Sequence, residues 1–132
     1  MITVNGGSKK QKNYAFSMAE FVCQKFDIAP NIEINFKRMS KDPNYGYCCH
    51  LDDNDFEIEI KRTLKLRAML TTLAHELIHV KQYVYGDYDD KAEENMDYWD
   101  KPSEIEAHGR EVGLFIRWAE KNRLAHLKWT QV

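Results

Sequence analysis

Leu66-Arg-Ala-Met-Leu-Thr-Thr-Leu-Ala-His-Glu-Leu-Ile-His-Val-Lys-Gln-Tyr-Val-Tyr85 is the stretch whose reading decides the fold. Leu66, Leu70, Leu73, Leu77, Val80 and Val84 recur at steps of three and four, a narrow apolar stripe that predicts one long helix. Gly86 is a natural stop for it. Inside the helix lies His75-Glu76-Leu77-Ile78-His79. Residues four apart on an α-helix stand one turn above each other and roughly 40° apart around the axis, so the two imidazoles can converge on one ion. By the same geometry the stripe lies about 180° from His75. The helix is expected to pack its stripe on a sheet and turn its histidines toward the loop and helix that follow. Glu76 projects beside the pair, within reach of a metal-bound water without itself binding the metal.

Upstream, Ser8 to about Phe26 carries Tyr14, Met18, Phe21, Val22 and Phe26 at near-helical spacing, with Ser8 as N-cap. Asp27-Ile-Ala-Pro30 ends that helix, because a residue before proline avoids the helical region. Ile32-Glu-Ile-Asn-Phe36 and Phe56-Glu-Ile-Glu-Ile60 alternate strictly, burying Ile32, Ile34, Phe36, Phe56, Ile58 and Ile60 and leaving Glu33, Glu57 and Glu59 toward water. Tyr47 to Leu51 reads as a strand between them, set off by turn clusters at Lys41–Gly46 and Asp52–Asn54. The expected product is an α+β domain spanning residues 1–132: an N-terminal helix, a small antiparallel three-stranded sheet with one wet face, the histidine helix and a C-terminal helix.

Downstream, Gly86 to Lys101 is acidic and aperiodic, with seven carboxylates against the single lysine Lys91 between Gly86 and Asp100, and reads as a surface loop. A last helix is expected from about Ser103 to Arg123, with Ile105, Val112, Ile116 and Ala119 facing inward. Gly109 and Gly113 weaken a helix interior, which implies a close approach to a neighbour. Leu127 and Trp129 are expected to lie against the sheet. In Pro102-Ser-Glu-Ile-Glu-Ala-His108, Glu104 and His108 share one helix face. Ser103 and Glu106 fit a capping box, a structural task. Catalytic zinc takes three protein ligands and keeps one position open. Glu104 as third ligand with His108 supporting it from behind is the preferred reading, and His108 as a direct ligand is the alternative.

His75-Glu-x-x-His79 followed by Glu104-x-Glu-Ala-His108 resembles the gluzincin clan of metallopeptidases, and most of all its single-domain minigluzincin and phage-type members. SprT-like and IrrE/ImmA-like proteases share the first motif. The resemblance covers about Leu66 to Trp118. It implies a zincin-like fold, one Zn²⁺ per chain held by His75, His79 and Glu104, and a protein or peptide substrate. Members often have an acidic or amide residue where His108 stands. This departure keeps open a His75-His79-His108 site of the SprT type.

The chemistry expected of such a site is hydrolysis of a peptide bond. Zinc brings the pKa of a bound water to about 7, and Glu76 is placed to take its proton as general base and pass it to the leaving amine. Tyr83 or Tyr85, or Tyr88, Tyr98 or Trp99 from the loop, is a candidate donor to the developing oxyanion. Two other functions compete: a zinc-stabilised protein-binding module with little or no activity, and a DNA-associated protease of the SprT type. An intact Glu76 argues against the first, since a structural zinc site is closed by four ligands and needs no base. The second needs a basic face, for which Lys9, Lys10, Lys12, Lys37, Arg38, Lys61, Arg62, Lys65 and Arg67 are available, but the acidic loop opposes phosphate.

The formal net charge of -2 over 132 residues gives no general case for a nucleic-acid binder. No apolar run is long enough to span a bilayer, and Met1–Ser8 does not read as a signal peptide. Cys23, Cys48 and Cys49 make a poor disulfide framework and read as reduced thiols of a cytoplasmic protein. Cys48-Cys49-His50 lacks the usual gap between metal ligands. A monomer is expected.

Overall fold

Phe56, Ile58 and Ile60 are all buried along β4 (Asp55–Lys61), and the position of that strand organises the rest. In the computed structural model, which describes residues 1–39 and 43–131, β4 lies between β2 (Asn31–Lys37), parallel to it, and β3 (Gly46–Asp52), antiparallel to it. A further strand, β1 (Ile2–Asn5), pairs in parallel with β2, Ile2 opposite Ile32 and Val4 opposite Ile34. The sheet is therefore four-stranded and mixed, in the order β1-β2-β4-β3, instead of the expected three-stranded antiparallel meander. Composition explains the reordering. β4 is the more apolar member of its hairpin and takes a place with a neighbour on each side. β3, with Tyr47, Cys49 and His50 exposed, takes the edge. Of the expected turn at Lys41–Gly46, Lys41 and Asp42 lie outside the described residues.

The first helix, α1 (Lys9–Lys25), starts where expected. Ser8 Oγ accepts from the Gln11 N–H at 3.1 Å, and the Gln11 side chain accepts from the Ser8 N–H at 2.8 Å. α2 (Leu66–Tyr85) ends at Gly86, whose φ of 73° is the left-handed conformation glycine favours. Its buried surface is wider than one stripe. Met69, Ala74 and Ile78 are buried beside Leu70, Leu73, Leu77 and Val80, while Val84 is exposed, because α1, the sheet and α4 (Pro102–Lys121) all pack on this helix.

α4 adopts a different rotation from the one expected. Ala107, Leu114, Phe115, Trp118 and Ala119 are buried, whereas Ile105 is 56 % and Val112 42 % exposed. The bulk of Phe115 and Trp118, both fully buried, sets the phase. Gly109 and Gly113 face outward, with nothing beyond their own stretch of helix within 4 Å of the position a Cβ would occupy, so the expected close approach does not involve them. The capping box is also absent: Pro102 opens the helix, and its N-cap residue, Lys101, makes no side-chain cap. Trp129 stacks against Tyr14 of α1 and packs near Phe115 of α4, between helices and not on the sheet. No described helix is long and apolar enough to cross a membrane.

Candidate metal centre

His75, Glu76 and His79 sit in the middle of α2 and are each 7 % exposed. Their ligand atoms lie within 4.8 Å of one another. α4 crosses in front of them and delivers Glu104 from its first turn. The Nε2 atoms of both histidines meet its carboxylate, His75 at Oε1 and His79 at Oε2, each at 3.0 Å. The four residues that spacing singled out are thus together.

The opposite ring nitrogens are held by residues the spacing did not identify. Gln82, one turn past His79 and 2 % exposed, places Oε1 2.8 Å from His79 Nδ1. Its amide nitrogen donates to the Ser103 carbonyl at 2.9 Å and to Glu106 at 3.0 Å. Those two acceptors fix which end of the amide faces His79, so Nδ1 carries a proton there. Glu111, two turns after Glu104 on the same face, lies 3.6 Å from His75 Nδ1 and 2.8 Å from His108 Nδ1. Its helical phase with Glu104 was readable in advance; only its sequence distance hid it.

His108 stands behind the site, its ring 4.4 Å from that of His75. Its Nδ1 is engaged by Glu111 and its Nε2 by the Tyr98 hydroxyl at 2.8 Å. His75, His108 and Glu111 form a second group with ligand atoms inside 4.8 Å. Of the two tyrosines favoured as donors, Tyr83 lines the cavity. Tyr85 does not reach it: its hydroxyl donates to the Phe26 carbonyl at the end of α1. Tyr98, from the acidic segment, donates to Glu104 at 2.9 Å. That segment is not wholly irregular. It holds a short helix, α3 (Asp90–Glu93), and a 3-10 turn at Tyr98–Asp100. The buried Glu93 carboxylate ties it to α4, accepting from the Ser103 N–H at 3.1 Å and hydroxyl at 2.5 Å. Glu106 points away from the histidines, to Lys81 at 2.6 Å and Arg110 at 2.9 Å.

These groups open into a cavity of about 230 Å³ between α2, the acidic segment and the edge strand β3, which contributes Gly46, Tyr47 and Cys48. Cys49 points to the other face and is exposed, and His50 stacks on Phe56 and bonds the Asp53 carbonyl at 2.8 Å. The Cys48-Cys49-His50 run does not gather into a site.

Electrostatics state what the arrangement lacks. Burial opposes a charge on His75, yet its hydrogen bond to Glu104 and the Glu111 carboxylate 3.6 Å from its other ring nitrogen carry its pKa up to about 10. Burial likewise opposes charge on His79, and Glu104 and Gln82 outweigh it in the same upward direction. Burial would raise Glu104, but the two histidines hold it well below the usual carboxylate range. Glu76 is raised, chiefly by burial. With Nδ1 of His79 protonated, a neutral ring presents a lone pair at Nε2 to a carboxylate oxygen 3.0 Å away. Two lone pairs at that distance repel, so a positive charge belongs between them. A proton meets the demand on one ring at a time. A divalent cation meets it for His75, His79 and Glu104 together, and it balances a site that also holds Glu76 and Glu111. The donor set therefore fits a metal ion. Compared with known proteins, the chain matches no family model, no curated protein and no solved structure.

Proposed function

We propose that this chain is a zinc-dependent endopeptidase, with His75, His79 and Glu104 as metal ligands and Glu76 as general base. The observation that carries the proposal is the convergence of two histidine Nε2 atoms on one carboxylate at 3.0 Å, beside a buried Glu76 and at the floor of an open cavity. Two imidazoles and one carboxylate suit Zn²⁺ and leave it an open position. Bound there, zinc supplies Lewis acidity to a water and to a substrate carbonyl. Glu76 takes a proton and returns it to the leaving nitrogen, a task for which its burial-raised pKa is suited. Gln82 and Glu111 hold the rings of His79 and His75 with Nε2 turned inward. Tyr83 borders the cavity as a candidate donor to an oxyanion, whereas the Tyr98 hydroxyl already donates to Glu104.

Glu104 is preferred to His108 as third ligand because both ring nitrogens of His108 are already engaged, by Glu111 and Tyr98. Glu76→Gln tests the reading. Cleavage of a denatured protein such as casein is expected to fall by about 10²-fold or more, with zinc content unchanged. Undiminished cleavage in that variant would show that Glu76 is not the base, and none by the zinc-loaded wild type would favour a metal-stabilised binding module.

A further inference from the structure

The cavity at the metal centre is walled by phenols and carboxylates. Tyr47, Tyr83, Tyr88 and Tyr98 line it beside Glu76 and Glu104, and no lysine or arginine among the described residues does so. The aromatic wall starts at the proposed ligand His79. The Tyr88 ring meets that of His79 edge-on at 6.4 Å and stacks on Tyr83 at 4.6 Å. Phe56 and His50 back Tyr83 in turn. An aromatic face attracts a cation, and a phenol oxygen accepts from an ammonium or a guanidinium. A substrate side chain that ends in a carboxylate finds no lysine or arginine to pair with here.

Charge around the wall has the matching sign. Residues 86–101, which supply Tyr88 and Tyr98, hold seven carboxylates against Lys91 and Lys101, a net of -5 in a chain of net -2. The rest of the chain is therefore net positive, and the negative charge is gathered beside the cavity. These carboxylates are not spent on the chain's own cations. Among the described residues, lysine and arginine pair instead with Glu59, Glu106 and Glu120. Burial pushes the Tyr83 and Tyr88 phenols up, and the Asp90 charge adds to it, so the wall lies in a negative potential. A divalent ion on His75, His79 and Glu104 is balanced by Glu104 and Glu76, which leaves the charge of the segment in place. Charge of one sign beside a cleft concentrates a substrate of the other.

We infer that the cavity takes a lysine or arginine side chain of the polypeptide substrate, at a residue next to the scissile bond, with the Tyr83–Tyr88 stack as its wall and Asp90 as its counter-charge. The inference rests on the peptidase reading above and names the substrate class that reading leaves open.

Binding and cleavage test it separately. Labelled peptides identical except for one Lys, Gln or Glu are titrated with zinc-loaded Glu76→Gln and read by fluorescence anisotropy. The Lys peptide is expected to bind at least about tenfold more tightly than the Glu peptide. The difference should shrink when Asp90→Asn is added, and also as ionic strength rises from about 0.02 M to about 0.5 M. Asp90 is exposed, so circular dichroism of that variant should match its parent. In a digest of denatured protein by the zinc-loaded wild type, mass spectrometry is expected to find Lys or Arg enriched at one fixed position adjoining the cut. Equal binding of the three peptides overturns the inference, as does a full Lys preference in the Asp90→Asn variant. A wild type that cleaves without regard to Lys or Arg overturns it too and leaves the peptidase reading standing. Preferred binding of the Lys peptide with no cleavage of any substrate upholds the pocket and removes the peptidase reading.

Discussion

Glu106 shows how neighbouring residues of one helix divide structural and chemical work. Two positions from Glu104, it turns the opposite way and gathers Lys81, Gln82 and Arg110. Burial opposes its charge, but those three donors hold its pKa at about 2. An unfolded glutamate titrates near about 4.3. A folded pKa below the unfolded one means a stability contribution that is full above the unfolded value and lost as pH falls through the folded one. In metal-free protein, the urea midpoint of the wild type is therefore expected to drop more steeply between about pH 5 and pH 2 than that of Glu106→Gln. Parallel pH profiles would mean that the bracket between α2 and α4 does not form. The same bracket fixes the Gln82 amide, so a residue outside the proposed ligand set fixes the tautomer of His79.

At the scale of elements, the three long helices and the strands β2, β3 and β4 were legible in the sequence, and β1, the order of the sheet and its parallel pairings were not. The span of α2 and its glycine stop follow from a period of three and four, and the N-cap of α1 from Ser8 and Gln11. Strand order carries no such local signal. β1 is only four residues long, and β4 displaced β3 from its neighbour in sequence because burial, not chain order, decides the centre of a sheet. For α4 the apolar pattern offered two faces, and the larger rings of Phe115 and Trp118 won. That His75, Glu76, His79 and Glu104 come together was readable because residues on helices have fixed spacing. Gln82 shares α2 with His79, three residues on, and Glu111 shares the Glu104 face of α4; what spacing does not reveal is that the two helices cross there. One element contact sets the cavity wall. Gly46 lets β3 lie against α2: a Cβ there would stand 2.9 Å from Thr72 Cγ2 and 3.0 Å from the Glu59 carbonyl oxygen. Gly46→Ala is expected to cost about 1–3 kcal/mol in denaturant unfolding. Adding Thr72→Ala should recover only part of that, since the carbonyl stays in place. Full recovery, or no loss at all, would show that the strand is free to shift.

Across the whole molecule, α2 is where the architecture and the chemistry meet. It is buried against α1, the sheet and α4 at once, so its histidines are presented by a rigid element, and α4 can reach them only by crossing it closely. A metal held by one residue pair on α2 and one residue on α4 would clamp that crossing. The most direct measurement is zinc per chain, by elemental analysis, for the wild type, His79→Ala, Glu104→Ala, Glu106→Ala and His108→Ala. One zinc in the wild type, lost with His79→Ala and Glu104→Ala and kept with Glu106→Ala, is the result expected. A wild type that takes up no zinc when refolded with it would contradict the account. Zinc that survives Glu104→Ala but not His108→Ala would replace the proposed ligand set with three histidines.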